Sequence, residues 1–154
     1  MTDIVESTSR AEALGDGPWR DLLVRHNQVV RAQLDRFRGR EVATTGDGFV
    51  AIFDGAERAI RAAQEIIRGL EAVGLLARAG VHTGEIELDG DDVRGLTVHL
   101  AERVMASAGP GELYASWATR ELLAGSPIAF VDRGLHELRG VADQRRLYWV
   151  DPSG

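Results

Sequence analysis

Residues 40–53, REVATTGDGFVAIF, decide how the fold is read. Two runs rich in β-branched and aromatic residues flank Gly46-Asp47-Gly48, and Asp-Gly between such runs is a strong hairpin signal. On the N-terminal side, residues from about Ser9 to Phe37 read as helix. Trp19, Leu22, Leu23, His26, Val29 and Val30 recur there at the spacing of one helix face. Gly15-Asp16-Gly17-Pro18 is expected to interrupt that stretch. On the C-terminal side, Gly55 to Val73 read as a second helix, with Ala56, Ala59, Ile60, Ala63, Ile67 and Leu70 on its apolar stripe. Further out, MTDIV is a short opening strand, cut off at the start, and ARAGVHTGEIEL is another strand. Asp92 to Ala108 holds a third helix on Val98, Ala101, Met105 and Ala108, stopped by Gly109-Pro110-Gly111. A short strand (GELYAS), a short helix (Trp117 to Leu123) and a closing strand pair (IAFVDRG and RRLYWV) complete the chain. The order strand, helix, hairpin, helix, strand predicts an α+β fold. It fits a ferredoxin-like βαββαβ core with extra C-terminal strands, a mostly antiparallel sheet with helices on one face.

Composition narrows the chemistry. A chain of 154 residues is expected to form one domain and can bury about 70% of its unfolded surface, so it needs no staple. Cysteine is absent, which excludes thiolate catalysis, cysteine-ligated zinc and disulfides. All 18 basic residues are arginine. Without lysine, P-loop NTPase and Schiff-base chemistry are excluded. A net charge of -6 argues against a general binder of nucleic acid or anionic membranes, whose affinity rests on positive potential. MTDIVESTSR is acidic with no long apolar core, unlike a signal peptide, and no apolar run approaches the ~20 residues of a membrane span. A cytoplasmic location is the expectation.

Two acidic residues stand out. Asp3 lies within a predicted strand, where aspartate is depleted and an unpaired buried carboxylate is costly. Asp47 lies at the hairpin tip. Taken singly, Asp3 is a frayed terminus and Asp47 an ordinary Asp-Gly turn. If the first strand lies beside the hairpin, both carboxylates converge at one end of the sheet. Two carboxylates on rigid strands suit hard cations such as Mg2+ or Mn2+, which clamp phosphates and activate hydroxyls. In DVRGLTVHLAERV, His99 and Arg103 are four apart and share a helix face. Spacing alone favours a solvated polar face there.

TDIVEST, GREVATTGDGFVAIFD, AGVHTGEIE and DVRGLTVHLAERVMASAGPGELYAS together resemble the class III nucleotidyl (adenylate) cyclase catalytic domain, most of all its mycobacterial and actinobacterial members. The resemblance runs from Asp3 to about Val150, with the blocks in order and correctly spaced. It implies conversion of ATP to 3′,5′-cyclic AMP and pyrophosphate, with two divalent ions (Mg2+ or Mn2+) per site at a homodimer interface. By position, Asp3, Asp47 and the Ile4 carbonyl would be metal ligands. Asp92 would accept from the adenine amine, which guanine replaces with an acceptor. Arg103 would stabilise charge developing on the phosphate. Arg139, in HELRG, would help hold the triphosphate, although a surface arginine is an equally good reading. Each site would take its metals from one chain and Asp92 and Arg103 from the other, so a monomer is expected to be inactive.

Three departures from the resemblance point to reduced activity. Ala43 stands where a base-reading lysine is expected, and a charged hydrogen bond of that kind contributes about 1.5–3 kcal/mol. His99 replaces the asparagine that orients the ribose, and a histidine can donate one such bond in its place. The opening strand starts only two residues before Asp3, where the resemblance implies several more apolar residues, so the first metal ligand would rest on an end prone to fraying. The alternative is a degenerate cyclase-like domain that binds nucleotide in a regulatory role without turnover. A ferredoxin-like interaction module with no ligand ranks well behind both.

Overall fold

A computed structural model describes all residues, 1–154. Its elements are β1 (Thr2–Ile4), α1 (Ser7–Leu14), α2 (Asp16–Arg36), β2 (Arg40–Thr44), β3 (Gly48–Ile52), α3 (Ala56–Ala72), β4 (Ala77–Val81), β5 (Glu87–Asp89), β6 (Asp92–Arg94), α4 (Leu96–Ala106), β7 (Leu113–Ser116), α5 (Trp117–Leu122), β8 (Phe130–His136) and β9 (Arg145–Val150). Seven strands form one sheet in the order β2-β3-β1-β4-β7-β9-β8, and β5 and β6 form a separate hairpin. The order β2-β3-β1-β4 is that of a ferredoxin-like core, with β7, β9 and β8 added at one edge. Only β4 and β7 pair in parallel, and α4 lies in the crossover that a parallel pair requires.

The predicted helical stretch breaks at Gly15, whose φ of 83° suits glycine. Pro18 then sits in the first turn of α2, where a missing N–H costs no helix bond. The segment expected as one strand from Ala77 leaves the sheet after Val81, and the chain turns out to build the β5–β6 hairpin. That turn needs Gly84, because a Cβ there would sit 2.7 Å from the Thr97 hydroxyl. The third helix begins at Leu96, so Asp92 belongs to strand β6 and not to the helix.

Helices cover both faces of the sheet, which corrects the one-face expectation. On one face, Val30 and Leu34 of α2 and Ile66 and Leu70 of α3 pack against Ile4, Phe49 and Ala77. On the other, Leu100, Val104 and Ala108 pack against Tyr114 and Leu147. Gly80 admits α4, since a Cβ at that position would run into the Met105 backbone. Gly48 admits β1 in the same way, because a Cβ there would lie 2.7 Å from the Thr2 carbonyl oxygen.

The opening strand is not frayed. Thr2 is buried, and Met1 exchanges two hydrogen bonds with Gly80: its amine donates to the Gly80 carbonyl (2.8 Å) and its carbonyl accepts from the Gly80 N–H (2.9 Å).

Gly48→Ala and Gly80→Ala are each expected to lose about 1–3 kcal/mol in urea unfolding, the ordinary cost of overpacking. Gly17→Ala, a helical position with nothing within 4 Å of the added methyl, is expected to be neutral or stabilising.

Candidate active site

β1 runs antiparallel to β3 on one side and to β4 on the other, and this double pairing builds the site. Asp3 is the register partner of Gly48 on β3 and of Arg78 on β4. The hairpin turn folds Asp47 back against β1, and the Ile4 N–H donates to the Asp47 carbonyl (3.1 Å). The two carboxylates predicted to converge do so. The Asp3 carboxyl is held above its ordinary pKa, first by burial and then by the charge of Asp47, with the Arg78 guanidinium partly offsetting both.

Each carboxylate has a partner in this structure. The Ser7 hydroxyl donates to Asp47 Oδ2 (2.6 Å), and Arg78 Nη2 donates to Asp3 Oδ2 (3.3 Å). Arg78 also reaches the Ala106 carbonyl on α4 through Nη1 (3.3 Å), while its buried Nε has no partner. A cleft of about 350 Å³ opens beside this group, lined by the run Asp3–Ser9 and by Arg78, Ala108 and Pro110. Behind it, His26 of α2 is fully buried and tilted against the Phe49 ring at 5.5 Å. Burial pushes its imidazole below the ordinary range, and the charges of Asp47 and Asp3 act in the opposite sense.

The donor set suits a divalent cation. Two carboxylates and a backbone carbonyl within one strand-and-turn unit are hard oxygen ligands, and a like-charged pair is stabilised by a cation between its members. The chain offers no third acid or histidine at this point, so the remaining positions would fall to water or substrate oxygens.

The other predicted residues lie elsewhere in the chain. Asp92 is exposed on β6 and ties to its own neighbours, accepting from Arg94 Nε (2.8 Å) and the Val93 N–H (3.0 Å). The Arg94 hydrogen bond holds its carboxyl below the usual range. On α4, His99 is exposed and Arg103 half-buried, with an unpartnered Nε. Ala43 is exposed on edge strand β2, paired with Val50 just past a bulge. Arg139 is exposed in the β8–β9 turn, and β4, β7 and β9 separate its strand from β1. None of Asp92, His99, Arg103 and Arg139 forms a hydrogen bond or ion pair with Asp3 or Asp47 of the same chain. Sequence reasoning missed Arg78, Ser7 and His26. Arg78 left a trace, a lone charge in the otherwise apolar ARAGV strand.

The sequence matches the family described as "Adenylate and Guanylate cyclase catalytic domain" over residues 1–152. The chain belongs to this family. A Rhizobium meliloti protein provisionally named adenylate cyclase 3 is 30% identical across 86% of this chain and 24% of its own length. A Mycobacterium tuberculosis protein of unassigned function is 31% identical across 82% of this chain and 34% of its own. The cyclase domain thus spans a quarter to a third of these curated relatives. Among solved structures, adenylate cyclase from Trypanosoma brucei in its monomeric state gives a TM-score of 0.88 at 24% identity, covering 98% of this chain and 87% of that one. The guanylate cyclase domain of RhGC from Catenaria anguillulae, in complex with GTP, gives 0.84 at 21% identity, covering 97% and 92%. These likenesses establish the class III cyclase fold. No helix is long and apolar enough to cross a membrane.

Because the Asp3 pKa is raised, folding loses stability as pH rises from the ordinary aspartate range through the raised value. Asp47→Asn removes one of the two causes and keeps an acceptor for Ser7. In metal-free protein it is expected to flatten that limb and raise Tm near neutral pH relative to the parent. Thermal unfolding from pH 3 to about 7 checks the difference.

Proposed function

We propose that the protein is an adenylate cyclase, converting ATP to 3′,5′-cyclic AMP and pyrophosphate in sites shared by two copies, in the cytoplasm and at reduced rate. The observation that carries this reading is the convergence of Asp3 and Asp47, with Asp3 lining an open cleft. In the reaction, the ribose 3′-oxygen bonds to the α-phosphorus and the bond from that phosphorus to the β-bridging oxygen breaks. The hydroxyl proton passes to solvent and pyrophosphate leaves.

Asp3, Asp47 and the Ile4 carbonyl would hold two divalent ions, Mg2+ or Mn2+, which lower the pKa of the 3′-hydroxyl and neutralise the triphosphate. Asp3 would then no longer need Arg78, whose guanidinium lines the same cleft and would be free to turn to the polyphosphate. A second copy would supply the rest: Asp92 accepting from the adenine amine, His99 orienting the ribose, Arg103 stabilising the charged phosphorus and Arg139 steadying the triphosphate. Its contribution from outside the chain agrees with the absence of these residues from the carboxylate cluster. A preference for ATP over GTP rests on Asp92, since Ala43 supplies no donor to the base.

Two observations favour the second reading, a nucleotide-binding regulatory domain without turnover. Ala43 presents only a methyl group, and Arg78 already occupies Asp3.

Cyclic AMP is expected from the wild type with Mn2+-ATP, and none from Asp47→Ala. Arg103→Ala is expected to lower kcat by about 10²–10³. Mixing Asp47→Ala with Arg103→Ala chains is expected to restore product formation well above the sum of what the two variants make separately. Metal-dependent ATP binding without product in the wild type would select the regulatory reading.

A further inference from the structure

The surface carrying Asp92 offers the base one acceptor, and on the neighbouring strand β2 the exposed Ala43 offers only a methyl group. The two strands are tied together. Arg40 of β2 reaches the β5–β6 turn, where its Nη2 donates to Asp91 Oδ1 (3.0 Å) and to the Gly90 carbonyl (3.4 Å), and β6 packs against β2. Along β6 the side chains alternate. Val93 is buried, while Asp92 and Arg94 project together from the exposed face.

Asp92 and Arg94 pair through a single guanidinium nitrogen. Arg94 Nε donates to Asp92 Oδ2 (2.8 Å), and Asp92 Oδ1 accepts from the Val93 N–H (3.0 Å). Arg94 Nη1 and Nη2 bond to nothing within the chain. The other donors around Ala43 are already engaged. Arg31 grips Glu41 through Nε (3.1 Å) and Nη2 (3.0 Å), the Thr44 hydroxyl donates to the same carboxylate, and Arg40 is held by Asp91.

A carboxylate beside a guanidinium with unspent N–H groups presents an acceptor next to a donor. Adenine carries the complement on its Watson–Crick edge, an amine at position 6 beside the unprotonated ring nitrogen N1. Guanine carries the reverse, a carbonyl at position 6 beside an N1–H. In the register that sets the amine on Asp92, guanine would put its oxygen against the carboxylate and its N1–H against the guanidinium. A guanidinium stays charged and has no acceptor to offer in exchange.

We propose that Arg94 is a specificity-determining residue, donating through an Nη group to adenine N1 beside Asp92 of the same chain. It supplies from β6 the contact that Ala43 cannot make from β2, and adds a second mismatch against guanine to the one that Asp92 provides. This inference rests on the proposed reading that Asp92 receives the base.

Calorimetric titration of the full chain with Mn2+-ATP and with Mn2+-1-deaza-ATP, in which a C–H replaces N1, tests it. The wild type is expected to bind ATP about tenfold or more tightly than the analogue, the effect of losing a charged hydrogen bond. Arg94→Ala is expected to bind ATP about tenfold more weakly and to bind the two nucleotides alike, while Arg94→Lys keeps part of the difference. Equal binding of the two by the wild type would overturn the proposal. So would an ATP preference that persists in Arg94→Ala, whether both nucleotides weaken together, as a merely structural role requires, or both tighten, as a mask over Asp92 would. A wild type that shows the expected pattern but makes no cyclic AMP supports this inference and defeats the cyclase reading. A wild type that binds no ATP defeats both.

Discussion

The structure depends on one confrontation of like charges. β1 is wedged between β3 and β4, and this wedge holds the Asp3 carboxylate against that of Asp47. Two neighbouring carboxylates, one of them partly buried, oppose folding unless something positive intervenes. In this structure the Arg78 guanidinium supplies the charge, and the Ser7 hydroxyl satisfies the other acid. The backbone makes the closeness unavoidable, since Gly48 lets the Thr2 carbonyl approach the hairpin and the Ile4 N–H ties down the Asp47 carbonyl. Under the proposed function, the ion that would relieve this repulsion is also the one that would perform the chemistry.

Most of the architecture was legible because hydrophobic period and turn chemistry agree along the chain. The Gly46-Asp47-Gly48 turn, the break at Gly15 and the apolar stripe of α3 each have a local cause, and each appears where the pattern puts it. The side of the sheet taken by α4 was not legible. Its stripe of Val98, Ala101 and Met105 says that one helix face is buried, not against which surface. Gly80 held that information, because a glycine inside an apolar strand marks a close backbone approach. The extent of α4 was misjudged for a related reason. Asp92-Val93-Arg94 alternates polar and apolar residues, and so short a run fits a strand as well as the start of a helix.

At the site, the sequence located the acids but not their counter-charge. Asp3 was conspicuous as an aspartate in a strand. Arg78 is as unusual in its own strand, but its meaning depends on the register that sets it opposite Asp3. Ser7 and His26 are ordinary residues in ordinary helices, and only the packing of α1 and α2 brings them to the carboxylates. Asp92, His99, Arg103 and Arg139 carry no mark of a shared role within one chain. In the proposed dimer their relation to the acids would lie between two copies, which no periodicity in a single sequence encodes.

The central claim is that Asp3 and Asp47 grip a divalent ion together. A titration of free Mn2+ by electron paramagnetic resonance tests this without nucleotide, turnover or a change in folding. Saturable loss of the free-ion signal with the wild type, abolished in both Asp3→Asn and Asp47→Asn, is the predicted result. Manganese affinity that survives either substitution unchanged would contradict the account.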